Sequence, residues 1–301
     1  GMVAALIPFA IRGALWYQGE SNHPEGLLYT EKTKALVNGW RKAWGYEFPF
    51  YFVQIAPYHY GSEPPHVLAE FWEAQAEATR VIPQCGMVVI YDVGNTNNIH
   101  PINKQEVGRR LALHALAKDY GRKGIESSGP VFKSYAVEGE KMRLSFDHLG
   151  SGLATRDGAA PNWFELLDAK EGGWTPASAR LEGNAVFVSA AEVKAPIAVR
   201  LGWHKFAEPN LMNKEGLPAW PFRAGAWSNR DPLSLNVAEV RSYQLALEVD
   251  FSKTGAAAAY SIDNRAQLTR PFDRVAYYLE LRPATGPEQW LFVSMDAFTD
   301  D

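Results

Sequence analysis

The sequence predicts an α/β fold: a parallel sheet with helices on its faces, followed by antiparallel β structure. Three observations carry this. Between residues 1 and 128, short apolar runs alternate with segments whose apolar residues recur at helical spacing. From Val131 onward the texture changes to short alternating runs separated by Gly and Asp turns. The chain has 301 residues, 47% hydrophobic and 21% charged, which is the composition of an ordinary globular protein with room for two domains and part of a third.

Residues 13–17 (Gly-Ala-Leu-Trp-Tyr) read as a short buried strand that ends at Gln18-Gly19. Residues 29–44 read as a helix, with Leu36, Val37, Trp40, Ala43 and Trp44 on one face. Residues 50–55 are a second strand, introduced by Pro49 and closed by Pro57. A second helix fits 67–80, with Leu68, Phe71, Trp72, Gln75 and Thr79 in register. Residues 87–91 form a third strand, stopped by Asp92 and Gly94, and 103–119 a third helix with Val107, Leu111 and Ala115 along one stripe. Three strands are few for such a sheet. The expectation is that a first strand or strands lie upstream of residue 1, and that the exposed sheet edge pairs with another chain as a homo-oligomer.

Residues 124–130 look like a linker. Residues 129–225 then read as an antiparallel, sandwich-like β domain, with strands near 143–146, 178–181, 185–188 and 197–201. Residues 226–301 continue as a further β-rich region, with strands at 244–249, 275–281 and 290–295, and end without a clear stop, so this unit is read as incomplete.

Composition excludes some functions and leaves others open. Net charge is -4 and no long basic stripe occurs, so nucleic-acid binding lacks its electrostatic footprint. Ten Trp, thirteen Tyr and fifteen Phe suit a large core and equally a sugar-stacking surface. Cys85, the only cysteine, precedes Met87-Val88-Val89-Ile90 and reads as a buried small hydrophobe. No apolar run approaches the ~18 residues of a membrane span. The seven histidines are scattered without metal-ligand spacing, so no metal and no cofactor is expected.

Parallel sheets place chemistry at the carboxyl ends of their strands. Two polar runs fall there. In Trp16-Tyr17-Gln18-Gly19-Glu20-Ser21-Asn22, a strand-end amide such as Gln18 can donate to a developing oxyanion, and a desolvated carboxylate such as Glu20 can hold a histidine in one tautomer. In the run from Asp92 to Pro101, His100 stands where it can face the first run and act as general base, then general acid. The blander readings are a capped polar turn and a helix-capping histidine. His59, beside the loop at 61–65, lines a substrate or belongs to a plain exposed loop, and Tyr58 stacks on a sugar or packs in an aromatic core.

Together the two runs resemble the sialate O-acetylesterase and acetyl-xylan-esterase-like branch of the SGNH hydrolases. The resemblance rests on Trp16–Asn22, Ile99-His100-Pro101, Lys104 and Val107-Gly108-Arg109-Arg110-Leu111-Ala112, and continues through Asn213-Lys214-Glu215-Gly216-Leu217-Pro218 and Pro221-Phe222-Arg223. It covers about residues 1–225 and implies a flavodoxin-like three-layer α/β/α domain, here incomplete. It also implies removal of O-acetyl groups from carbohydrate by a serine nucleophile and a histidine base without metal. By motif position His100 is the catalytic histidine, Gln18 an oxyanion donor and Glu20 the residue that supports the histidine. Trp16, Ser21, Asn22, Tyr58 and His59 are the expected substrate contacts.

Two departures matter. Asn97 stands where many relatives carry an aspartate, which leaves Glu20 and Asp92 as the nearest acids. The family's Gly-Gln-Ser-Asn-like nucleophile motif has no counterpart before Trp16. The chain is therefore expected to be a truncated esterase with little activity, exported if a signal peptide precedes it. The alternatives are a non-catalytic carbohydrate-binding or scaffold protein, or a hydrolase using Ser21, whose Gly19-Glu20-Ser21 setting imitates part of a nucleophile elbow.

Overall fold

The computed structural model describes residues 2–170, 173–227, 245–248, 262–264, 274–281 and 289–296. Residues Gly1–Trp227 and Ser228–Asp301 form separate compact units.

The first unit opens on three parallel strands, β1 (Ala14–Trp16), β2 (Phe50–Val53) and β3 (Cys85–Val88), in the order β1-β2-β3. Trp16 pairs with Phe52 and Phe52 with Met87, so the three strands end level on one edge. Helices α1 (Leu28–Trp44) and α2 (His66–Val81) cover one face, and α3 (Lys104–Lys118) covers the other. The alternation of β2 sends Phe50 and Phe52 into a core with Val37, Leu68, Phe71 and Trp72, while Tyr51 and Val53 meet Val107 and Leu111. This is the three-layer α/β/α arrangement. β1 lies at the edge of the sheet, and Leu15 on it is 63% exposed.

Each helix has a local reason to start or stop. α1 ends at Gly45, whose φ of 79° suits glycine and whose N–H bonds the Arg41 carbonyl. α3 starts at Asn103, whose side chain accepts from the Glu106 N–H. β3 begins two residues earlier than the apolar run suggests, at Cys85, and gives way to a 3-10 turn at Tyr91–Val93. Every residue from 85 to 91 is buried, so burial alone does not mark the strand's end; pairing with Phe50–Val53 does. Cys85 is buried as expected, and burial pushes its thiol up to about 11.

The antiparallel part of the same unit contains β4 (Val131–Glu138), β5 (Lys141–Asp147), β6 (Leu153–Thr155), β7 (Phe164–Asp168), β8 (Thr175–Glu182), β9 (Ala185–Ser189), β10 (Pro196–Leu201), β11 (Leu211–Asn213) and β12 (Phe222–Gly225). Seven of these form one sheet in the order β12-β10-β7-β8-β9-β5-β4, and β11 pairs with β6. Their inward residues, among them Met142, Leu144, Val186, Val188 and Leu201, build a second core. The connection at 127–130 is buried: Asn213 donates to the Ser128 carbonyl, and Gly129 lies so close to the Pro218 carbonyl that a side chain has no room.

In the second unit, β13 (Leu247–Glu248) pairs with β14 (Ile262–Asp263), and β15 (Arg274–Leu281) with β16 (Gln289–Asp296), both antiparallel. The remainder of the strand expected at 244–249 and the chain end at 298–301 lie outside the described residues.

Candidate active site

The polar run after β1 turns at once over the level strand ends. Gly19 takes φ 153° and packs so tightly that a Cβ there would lie 2.8 Å from the Phe71 ring of α2. Asn22 N–H bonds the Gly19 carbonyl, closing the turn. The Gln18 carboxamide is then held at both ends: Nε2 donates to Asn22 Oδ1 (2.6 Å), and Oε1 accepts from the Tyr29 hydroxyl (3.1 Å). The direction of this chain is set at its far end. Asn22 Nδ2 donates to Glu25 Oε1 (3.1 Å), a carboxylate oxygen that can only accept, and Lys32 donates to the same oxygen (2.7 Å). Asn22 therefore turns its carbonyl to Gln18, and the second N–H of the Gln18 amide has no protein partner among the described residues.

Glu20 is half-buried, and among the described residues its carboxylate makes no hydrogen bond or ion pair. Three phenols surround it. Burial pushes Tyr17, Tyr29 and Tyr60 above the ordinary range, and the Glu20 charge pushes each further. The hydroxyls of Tyr17 and Tyr60 are buried without a hydrogen-bond partner among the described residues. The Glu20 backbone is anchored by His23, a residue absent from the expected site. The His23 ring bridges the Glu20 carbonyl and Glu63 Oε2, each at 2.6 Å, and stacks on Tyr60 at 3.8 Å. Only the fold brings Glu63 to His23, 40 positions away.

The second run leaves β3 on the same edge. Asp92 is fully engaged: Arg110, from α3, grips it through two bonds of 2.7 and 2.6 Å. Asn97 is exposed, with its N–H on Asn95 Oδ1. His100 is exposed beside buried Pro101, its backbone N–H held by Asn98 Oδ1 at 3.0 Å. Among the described residues no side chain hydrogen-bonds to the His100 ring. The two runs meet through Lys104, whose ammonium lies 4.4 Å from the centre of the Tyr17 ring. Two loops crossing the strand ends thus hold an amide donor, a carboxylate and an imidazole on one edge.

The expected substrate residues divide. The Trp16 ring faces Trp40 (5.7 Å) and Phe50 (6.3 Å), and its indole N–H donates to Tyr29, so it packs the core. Ser21 is exposed in the turn, and Asn22 belongs to the Gln18 network. Tyr58 is half-buried against Tyr60, while His59 is exposed with its ring 5.3 Å from Phe206. Among the described residues no group of three His, Cys, Asp or Glu is placed to hold a metal, and no helix is long and apolar enough to cross a membrane.

Residues 2–117 match the family described as carbohydrate esterase, sialic acid-specific acetylesterase. The sialate O-acetylesterase of Mus musculus is 33% identical over 166 residues, which is 48% of this chain and 31% of that protein. The Homo sapiens protein of the same name is 30% identical over 165 residues, 49% of this chain and 32% of that one. A solved carbohydrate acetylesterase from Xanthomonas citri superposes with a TM-score of 0.69 at 38% identity, over 74% of this chain and 52% of its own. The chain spans under a third of the length of these two curated relatives.

Proposed function

We propose that this chain, whose residues 2–117 match the sialic acid-specific acetylesterase family of carbohydrate esterases, takes part in removing O-acetyl groups from sugars. The observation that supports this reading best is the pinned Gln18 amide and the His100 loop rising from one sheet edge, with Lys104 on Tyr17 between them. In this reading a serine oxygen attacks the acetyl carbonyl while His100 takes its proton. The free N–H of Gln18 stabilises the oxyanion. His100 then returns the proton to the departing sugar oxygen, and a water activated the same way releases acetate. Glu20 is the acid that supports the imidazolium, since Asp92 is committed to Arg110.

We further propose that the serine comes from outside residues 1–301 and that this chain alone has little activity. No serine hydroxyl hydrogen-bonds to the His100 ring among the described residues, and Ser21 sits in a turn whose backbone is spanned by Gly19 and Asn22. The test measures acetate release from O-acetylated xylose and O-acetylated sialic acid, for residues 1–301 and for the longer reading frame that contains them. Release by the longer protein, abolished by His100→Ala, with fluorophosphonate labelling outside 1–301, is the expected result. Robust release by residues 1–301, or labelling of Ser21, overturns the external serine; release indifferent to His100→Ala overturns the mechanism.

A further inference from the structure

Beside the candidate site runs a line of rings that the proposed chemistry does not use. The His59 ring lies 5.3 Å from Phe206, Phe206 lies 5.3 Å from His204, and His204 lies 5.8 Å from Trp163. Successive planes are tilted by 31°, 47° and 36°, and the row runs from exposed His59 through half-buried Phe206 and His204 to exposed Trp163. At one end, the His59 N–H bonds the Thr96 carbonyl (2.9 Å), within the loop that carries His100. The other end stands on the antiparallel sheet, at the start of β7. The strip therefore begins at the rim of the candidate site and leads away from it.

The outer end is built to present its ring. Trp163 is 37% exposed and takes φ 63°, a strained conformation for a bulky residue and one that concentrates at functional positions. Its backbone is fixed on both sides. Gly202 N–H donates to its carbonyl (3.0 Å), and the preceding residue, Asn162, exchanges two bonds with Asn210 (3.1 and 3.0 Å).

The middle of the strip has a polar handle. The Phe206 N–H donates to His204 Nδ1 at 3.0 Å, so Nδ1 holds a lone pair and the proton sits on Nε2. Burial, chiefly, pushes the ring's pKa down. A row of ring faces with an imidazole N–H among them matches a pyranose, which offers a C–H face and a rim of hydroxyls. The loop beneath is stiffened by Lys205, which donates to the Gly61 and Glu63 carbonyls (2.7 Å each).

We propose that Trp163, His204, Phe206 and His59 form a sugar-binding strip on which pyranose rings of an oligosaccharide stack beyond the acetylated unit. The substrate class is thus a glycan chain rather than a free monosaccharide. The proposal rests on the esterase reading only for which sugar carries the ester.

The test is binding to residues 1–301, by calorimetry and tryptophan fluorescence, of β-1,4-xylo-oligosaccharides and of sialic acid oligomers, each from one to six units. Affinity is expected to rise with length in at least one series, and the responding series identifies the glycan. Trp163→Gly removes the ring and suits the positive-φ backbone; it should weaken binding of the longest oligomer by about three- to tenfold and leave the monosaccharide unchanged. Phe206→Leu, which keeps the apolar fill, should act in the same direction. Affinity independent of length in both series, or unchanged by both variants, overturns the strip. Length-dependent binding in a protein whose longer form releases no acetate upholds the strip and sinks the esterase reading instead.

Discussion

His114 shows how much a single side chain's surroundings decide. Its ring is 2% exposed and stacks on Tyr51 at 5.2 Å, and Nε2 donates to the Met87 carbonyl at 3.1 Å. Burial, helped by the Lys118 charge, pushes its pKa down to about 4, against about 6.5 in an unfolded chain. Between those values the unfolded state binds more protons than the folded one. Stability is therefore full above pH ~6.5 and falls as the pH drops towards ~4, by on the order of 3 kcal/mol from this group. His114→Phe should remove that part of the acid dependence while adding a fixed cost for the orphaned carbonyl. Urea unfolding at pH 7 and pH 4.5 measures it, and equal acid losses in the two proteins would exclude His114 as the source. The same lesson applies at Gln18, where its own identity sets what it can donate but Glu25, seven positions on, sets which way it faces.

At the scale of elements, periodicity places the helices within a residue or two but not always their buried stripe. The α1 pattern points to Leu36, Val37, Trp40, Ala43 and Trp44; the buried residues are Tyr29, Thr30, Thr33, Val37 and Arg41. The stripe is rotated because Arg41 finds partners that a hydrophobicity pattern does not register: it donates to the carbonyls of Phe48 (3.1 and 2.8 Å) and Pro83 (2.7 Å). In α2, by contrast, Gln75 falls on the expected face and ties the helix to β2. It accepts from Ile55 N–H and donates to the Val53 carbonyl, both at 3.1 Å, where the strand has run out of ladder partners. Gln75→Leu should cost about 1–3 kcal/mol, since two buried backbone groups lose their bonds. A denaturant midpoint unchanged from the parent protein would show that water or a backbone shift replaces them.

Across the first unit, Trp203 and Ala207 from the antiparallel part enter the α/β core, and specific polar contacts join the two parts. Arg223 of β12 grips Glu73 of α2 through bonds of 2.9 and 2.8 Å, and Lys205 reaches the loop at 61–63. That loop supplies Glu63 to His23, and His23 anchors the Glu20 carbonyl, so a residue of the β part helps hold the candidate site. Lys205→Met keeps the stem and removes the donor. It should raise amide hydrogen exchange at 60–63 by about tenfold or more while leaving the β2 core protected. Exchange equal to the parent's would mean that the His23–Glu63 contact suffices.

The sequence by itself determined the α/β order of elements, the change to antiparallel β structure after 130, and the placing of two polar runs, 18–22 and 92–101, after the first and third strands. Those features are local: spacing fixes which face a residue takes, and a seven-residue motif keeps its neighbours together. Only the tertiary structure decided that Asp92 is committed to Arg110, that Trp16 packs inward, and that His23 and Glu63 meet beneath Glu20. It also lined up His59, Phe206, His204 and Trp163, which span more than 100 positions in the chain. Ion pairs, ring contacts and buried hydrogen bonds join groups by distance in space, and no pattern along one strand or helix encodes which distant loop will be there.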